Sequence, residues 1–142
     1  EYKNGVNHGT AKYWNEKGKI QSEKNYAYGQ LHGTSNTYFL NGKLNISGQY
    51  DKGKMVGNWQ YFNESGVCER NINFKDERPD GNWVIRYKEG PLKEECSYKN
   101  GERNGNYKSY TPQGNLTYYA KYKKGKVKKV KVDNRGKAST VR

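Results

Sequence analysis

Residues 2–25 read YKNGVNHGTAKYWNEKGKIQSEKN and residues 98–121 read YKNGERNGNYKSYTPQGNLTYYAK, and the agreement between these stretches decides the fold. Both begin with Tyr-Lys-Asn-Gly, and both have glycine at their eighth and seventeenth positions. An aromatic residue recurs every 24 residues, at Tyr2, Tyr26, Tyr50, Phe74, Tyr98 and Tyr122. A fixed interval of this length is the signature of a repeat architecture. We therefore divide the chain into five units (2–25, 26–49, 50–73, 74–97 and 98–121), followed by a degenerate sixth repeat and basic tail over 122–142.

Two sets of glycines mark where each unit turns. Counted from the leading aromatic residue, position 17 is glycine in all five units, and position 4 is glycine in every unit except the fourth, which has Glu77. Glycine supplies the positive φ that short hairpin loops need. The segments between the turns are eight or nine residues long and rich in Thr, Tyr, Trp, Val and Ile, which favours strands. Because Pro79 cannot donate a ladder hydrogen bond, we expect a local break or a widened turn beside Glu77.

The composition limits how these hairpins pack. Only 31% of the residues are hydrophobic, whereas 14% are aromatic, so a large three-dimensional core is excluded. Each hairpin has to pack on its neighbours through ladders of side chains. The predicted fold is all-β: an elongated, single-layer antiparallel meander of five 24-residue β-hairpin repeats with a degenerate C-terminal cap. No run approaches the roughly 20 apolar residues of a membrane span, no signal peptide is visible, and the compartment stays open.

Three positions of the unit form apolar or aromatic columns. Position 19 has Ile20, Leu44, Cys68, Leu92 and Leu116; position 10 has Ala11, Ser35, Trp59, Trp83 and Tyr107; position 13 has Trp14, Tyr38, Phe62, Arg86 and Tyr110. Regular alternation places position 19 on the face of the next leading aromatic residue. It places positions 10 and 13 on opposite faces, and which of them joins position 19 depends on a hairpin register that the sequence leaves open.

The unit Tyr2-Lys3-Asn4-Gly5-Val6-Asn7-His8-Gly9, followed by Tyr13-Trp14 and Gly18-Lys19, resembles the MORN repeat. More specifically, it resembles the bacterial variant of the YwqK family, whose members are described as antitoxin components. The resemblance covers about residues 2–121. It implies an elongated β-hairpin array used for protein contacts, with lipid binding also proposed for MORN proteins. It implies no catalytic residues.

Positive charge is concentrated at the C-terminus. The chain has 27 basic and 14 acidic residues, and 10 of the basic but only one of the acidic residues lie within 121–142. The alternation from Lys126 to Val132 is typical of an exposed strand. Its lysines would guard an open sheet edge, or dock an acidic protein, an anionic lipid or a nucleic acid. The predicted contacts with an anionic surface are Lys123, Lys124, Lys126, Lys128, Lys129 and Lys131.

Residues suited to catalysis or metal binding are few. His8 and His32 each precede a repeat glycine, and Cys68 and Cys96 belong to no CxxC or Cys/His cluster. The sequence therefore predicts no enzyme, no metal, no cofactor and no small-molecule substrate. Cys68 occupies position 19 of its unit and Cys96 occupies position 23 of the next. Four positions along a strand span about 13 Å, beyond the roughly 7 Å between Cα atoms that a disulfide allows, so we expect two unpaired, buried and unreactive thiols.

Two functional hypotheses follow. The first is a non-enzymatic protein-interaction or scaffold module, in the manner of an antitoxin, that binds another protein through an aromatic face. The lysine-rich end would steer that partner if it is acidic. Its predicted contacts are the residue types that dominate interface hot spots, Trp14, Tyr38, Trp59, Phe62, Trp83, Arg86, Tyr107 and Tyr110. Mutual packing would explain the same columns. The second hypothesis is a binder of acidic lipid or nucleic acid that acts through the basic tail.

Overall fold

The structure, a computed structural model, describes residues 2–3 and 6–136. The strands are β1 (Tyr2–Lys3), β2 (Val6–Asn7), β3 (Gly9–Trp14), β4 (Ile20–Ala27), β5 (Gln30–Tyr38), β6 (Leu44–Asp51), β7 (Lys54–Phe62), β8 (Cys68–Lys75), β9 (Arg78–Arg86), β10 (Leu92–Lys99), β11 (Glu102–Arg103), β12 (Gly105–Tyr110), β13 (Leu116–Lys123) and β14 (Lys126–Asp133). Asn4 and Gly5 of the first predicted turn, and residues 137–142 of the basic tail, lie outside the described residues.

The strands form an open antiparallel meander. β3 to β14 make one 12-stranded sheet in which each strand pairs with its neighbours in sequence, except that β11 and β12 both pair with β10 and not with each other. β1 and β2 make a separate two-stranded sheet. The predicted all-β, single-layer hairpin meander is confirmed. Within the described part of the chain, no helix is long and apolar enough to span a bilayer.

Each hairpin closes with the same loop. In the first, the amide of Asn15 donates to the carbonyl of Lys19 over 2.8 Å, and the amide of Gly18 donates to the carbonyl of Asn15 over 3.0 Å. The same two backbone bonds recur in the four later loops. The position-17 glycine has a positive φ in every unit, from 78° at Gly18 to 117° at Gly90, which confirms its predicted role.

Consecutive units are joined by two-residue turns with positive φ at both residues, the geometry of a type I′ turn. The fourth unit keeps this turn, with φ of 49° at Asp76 and 70° at Glu77. The predicted widened turn is therefore wrong, since Lys75 pairs directly with Arg78. The ladder does break beside Pro79, between the pair of Phe74 with Pro79 and the pair of Ile72 with Trp83, but similar shifts occur in units that have no proline there.

Glu77 makes two hydrogen bonds to the backbone of Met55. Its amide donates to the Met55 carbonyl, and its side-chain Oε1 accepts from the Met55 amide, both over 3.0 Å. The amide bond has counterparts at the turn glycines, such as Gly53 to Leu31 and Gly101 to Pro79, so the side-chain bond is what Glu77 adds.

A β-bulge in every hairpin decides which columns share a face. Phe62 pairs with Cys68 while Tyr61 pairs with Arg70, so Glu69 is an extra residue in the ladder. The same shift occurs in the other four hairpins. An extra residue reverses the alternation of the following side chains. Position 19 therefore pairs with position 13, and both project from the face of the sheet opposite to that of the leading aromatic residues. The prediction that position 19 and the leading aromatic residues share a face is wrong, because it assumed unbroken strands.

The aromatic face, as we call the face with positions 1, 10 and 23, contains the core. Trp59 and Ile72 are each 4% exposed, and Ala120 is fully buried. The indole of Trp59 packs edge-on against Tyr50, with ring centroids 5.2 Å apart, and its Nε1 donates to two backbone carbonyls. It lies directly over Gly48, which leaves room for the ring.

The amide face, as we call the opposite side, is polar. Thr10 Oγ1 donates to Asn25 Oδ1 over 2.6 Å, and Asn25 Nδ2 donates to the Thr34 carbonyl over 2.9 Å. Further along the sheet, Asn73 Nδ2 donates to the Asn82 carbonyl over 3.1 Å. Amide ladders of this kind stay solvated, as expected for a single layer with one more apolar face.

Candidate functional site

The structure divides the eight predicted partner contacts between two faces. Trp59, Trp83 and Tyr107 lie on the aromatic face. The position-13 column runs along the amide face, where Tyr38 donates to Glu23 and Tyr110 donates to Glu95. The eight residues therefore do not form one surface, and Trp59 is too buried to contact a partner directly.

Glu94 links Trp83 and Tyr107, the two half-buried aromatic members of the position-10 column. Its Oε1 accepts from Trp83 Nε1 over 2.9 Å, and its Oε2 accepts from the Tyr107 hydroxyl over 2.7 Å. Burial, reinforced by this bond to a carboxylate, raises the pKa of Tyr107. Trp83 also packs on Tyr98, with ring centroids 4.9 Å apart. The three rings are held in one arrangement.

Arg103 is the central cation of this region. Its guanidinium carbon lies 4.4 Å from the centre of the Tyr107 ring and 5.4 Å from that of Tyr122. We call the set Trp83, Glu94, Tyr98, Arg103, Tyr107 and Tyr122 the Arg103 patch. The sequence analysis missed Arg103 and Glu94, because neither belongs to an apolar column. The sequence signal that could have found them is weak, since it consists only of a charged residue at a position on the aromatic side of the repeat.

The position-13 column ends at an apolar cleft near the first loop. Trp14 is 58% exposed and Leu40 is 67% exposed. Together with Asn15, Lys17 and neighbouring residues they line a cleft of about 350 Å³. Arg86 of the same column is exposed and donates to the Gly90 carbonyl of its own loop over 3.1 Å.

Histidines and cysteines have structural contacts. His32 Nδ1 accepts from the Lys52 amide over 3.2 Å, and the His8 ring packs edge-on against Tyr28. In the described ranges, no group of three potential ligands could hold a metal. Cys68 and Cys96 are unpaired, as predicted. Burial raises the pKa of the Cys96 thiol to about 12, whereas Cys68 is only half-buried.

The predicted exposed strand of the basic tail is confirmed as β14, the last strand of the sheet. Its pairing with β13 slips twice, leaving Lys128 and Lys131 as extra residues. Lys131 Nζ lies 4.8 Å from the centre of the Tyr119 ring and donates to its hydroxyl over 3.2 Å. Lys108, which the sequence analysis did not single out, lies 4.7 Å from the centre of the same ring. The Lys131 hydrogen bond lowers the pKa of Tyr119.

A family model described as a MORN repeat variant matches residues 7–28, 31–52, 79–100 and 103–124, which is 88 of the 142 residues. The chain belongs to the MORN repeat variant family. Repeats of this family are non-enzymatic modules that generally interact with proteins or membranes. The intervening stretch, 53–78, is unmatched, yet β7 and β8 form the same loop and turn there. No curated protein was found to match the chain in sequence.

Proposed function

We propose that this MORN repeat chain is a protein-interaction module that binds an acidic partner protein through the Arg103 patch. The observation that carries the proposal is the composition of this region: Trp83, Arg103 and Tyr107 are half-buried on a single-layer sheet. Interface hot spots are enriched in these three residue types. An aromatic sheet face is normally covered by a second layer, and a partner would supply it here.

The contacts within the patch favour tight binding. Glu94 fixes both Trp83 and Tyr107, so little side-chain freedom is lost when a partner docks. Val127 and Val130, which are 46% and 48% exposed, pair with Tyr122 and Ala120 and extend the apolar rim. The guanidinium of Arg103 suits a carboxylate at the centre of the partner's surface.

The lysines of β14 complement this patch. Most of them lie on the opposite face of the sheet, so they act at long range: their positive charge speeds the encounter with an acidic protein more than it strengthens the complex. Scaffolding an assembly and neutralising a toxin, the role implied by the resemblance to the YwqK family, are two forms that the function can take. In the second form the partner is toxic by itself and is inactive in the complex.

The experiment compares two arginines on opposite faces. Partners are captured from the native source at physiological salt after nuclease treatment, with the unaltered chain, Arg103→Ala and Arg86→Ala as baits. A single identified protein is then purified and its affinity for each chain is measured by calorimetry. We expect Arg103→Ala to weaken binding by about 30-fold or more, as for a hot-spot residue, and Arg86→Ala to change it by less than about threefold.

Two results would contradict the proposal. One is equal affinity of the Arg103→Ala chain and the unaltered chain. The other is a loss caused by Arg86→Ala instead, which would assign the contact to the amide face. Far-UV circular dichroism and urea midpoints of both variants have to match the unaltered chain, so that a lost partner is not mistaken for a lost fold.

A further inference from the structure

The lysines of the last strands lie on one face of the sheet. Lys121 and Lys123 of β13 alternate with Tyr122, so they project on the amide face, and their direct partners on β14 are Lys129 and Lys126. Lys108 and Lys131 reach the same face, where both ammonium groups lie within 5 Å of the centre of the Tyr119 ring, at 4.7 Å and 4.8 Å. We call this set the lysine plateau: Lys108, Lys121, Lys123, Lys126, Lys129 and Lys131.

The plateau brings like charges opposite each other on β13 and β14. Lys121 faces Lys129, and Lys123 faces Lys126, although like charges directly opposite each other destabilise a strand pair. In the described part of the chain, none of the six lysines takes part in an ion pair. Positions that break a local rule of stability are expected at functional sites.

Protection of the sheet edge does not explain this arrangement. An edge is guarded by charges and bulges on the last strand, and β14 has both, with Lys128 and Lys131 as bulge residues. Lys121 and Lys123 stand on the inner strand β13, and Lys108 stands one strand further in, on β12. Charge at these three positions adds nothing to an edge guard.

A polar groove continues from the plateau along the amide face. It has a volume of about 370 Å³ and is lined by Asn82, Ser97, Asn106 and Lys108, among others. Its carboxylate, Glu95, accepts a hydrogen bond from the Tyr110 hydroxyl over 3.2 Å. Amide and hydroxyl groups beside lysines provide the donors and acceptors that base edges need next to a phosphate-binding surface.

We propose that the lysine plateau and this groove bind single-stranded nucleic acid, with the phosphates on the lysines and the bases over the amides. The opposite side of the same hairpin argues against a membrane. Val127 and Val130 project on the aromatic face, away from the plateau, so a bilayer could not receive the charges and the apolar side chains together. The two bulges of β14 also prevent an acidic peptide from adding as a further strand.

The test measures binding of a fluorescein-labelled, mixed-sequence single-stranded oligonucleotide of about 20 nucleotides by anisotropy, over a range of salt concentrations. Six phosphate contacts predict a slope of log affinity against log salt of about −4. Lys108→Gln combined with Lys121→Gln should weaken binding about tenfold and reduce the slope by about 1.4, since each contact accounts for about 0.7. Both changes leave the last strand intact.

The matched control removes two lysines elsewhere. Lys12 occupies the repeat position of Lys108 in the first unit, and Lys17 stands in the first hairpin loop. Lys12→Gln combined with Lys17→Gln lowers the net charge by the same amount, and we expect affinity within about twofold of the unaltered chain. Arg103→Ala should likewise leave oligonucleotide binding unchanged, which separates this proposal from the protein-binding patch.

Three results would overturn the inference. One is equal weakening by the two double variants, which would reduce the effect to net charge. Another is competition by polyglutamate as effective as competition by unlabelled oligonucleotide, which would remove any selectivity for nucleic acid. The third is binding to vesicles that contain phosphatidylserine with no binding to the oligonucleotide. The unaltered chain should prefer the oligonucleotide to polyglutamate. A smaller preference in a chain with both Asn82→Ala and Asn106→Ala would support a role for the groove.

Discussion

Gly48→Ala is expected to destabilise the fold by about 3 kcal/mol. The Cβ of an alanine at this position would fall within the indole of Trp59, far inside van der Waals contact. Forcing an extra methyl group into a packed core costs about 1–3 kcal/mol. A displaced indole would also lose the Nε1 bonds to the carbonyls of Gln49 and Val56, each 3.2 Å long and each worth about 1 kcal/mol.

A double-mutant cycle measures whether the indole causes this loss. Unfolding is followed by circular dichroism in urea for Gly48→Ala, Trp59→Leu and the combination of both. Without the indole, Gly48→Ala should cost less than about 1 kcal/mol, which gives a coupling energy of about 2 kcal/mol. Gly136→Ala is the control for the methyl group itself, since a Cβ there meets nothing within 4 Å.

The reasoning is refuted by the absence of coupling. Equal losses from Gly48→Ala in both backgrounds would show that the methyl group does not meet the ring, and a loss below about 0.5 kcal/mol would show that the sheet has room for it. The urea dependence should keep the same slope in all four chains, because an altered slope would report a change in how many repeats unfold together.

Three further predictions concern titratable groups. Tyr107→Phe removes the bond to Glu94 and should lower the free energy of unfolding by about 1–2 kcal/mol, measured in urea. The pKa of Tyr107 in the folded chain lies above its ordinary 10.0, so its titration lowers the free energy of unfolding as the pH rises past 10. The Tyr107→Phe chain has no such group, and its stability should fall less than that of the unaltered chain over this pH range. Cys96, with its pKa raised to about 12, should react with a thiol reagent at pH 8 only after unfolding; rapid labelling of the native chain would contradict this. Lys131→Gln should bring the lowered pKa of Tyr119 back towards its ordinary value, as followed by ultraviolet absorbance, and an unchanged titration would exclude the hydrogen bond.

Most of the fold follows from local sequence signals. Turn residues act over four or five positions, so glycines such as Gly18 and Gly90 predict the loops correctly wherever they stand. The exception at Glu77 is also local, but its added side-chain bond is to Met55, 22 residues away, and sequence reasoning could not find it. The exposed last strand was predictable because alternation of Lys and Val needs no partner to be recognised.

Much less of the candidate site was predictable. The position-10 rings pack on the leading aromatic residues, as Trp59 does on Tyr50 and Trp83 on Tyr98, and Trp83 and Tyr107 belong to the Arg103 patch. The columns could not show that Trp59 lies in the core, since its burial depends on the missing side chain at Gly48. Arg103 was missed because a charged residue gives no periodic signal until its neighbours on adjacent strands are known.

The sequence by itself determined the number, order and length of the hairpins, because turns and strand propensities are properties of short segments. Only the tertiary structure decided which residues share a face. A single extra residue, such as Glu69, reverses every side chain that follows in its strand, and that residue is recognised as extra only when its partners on the neighbouring strand are known. Pairing between strands therefore assigns the Arg103 patch to one side of the sheet and the lysine plateau to the other.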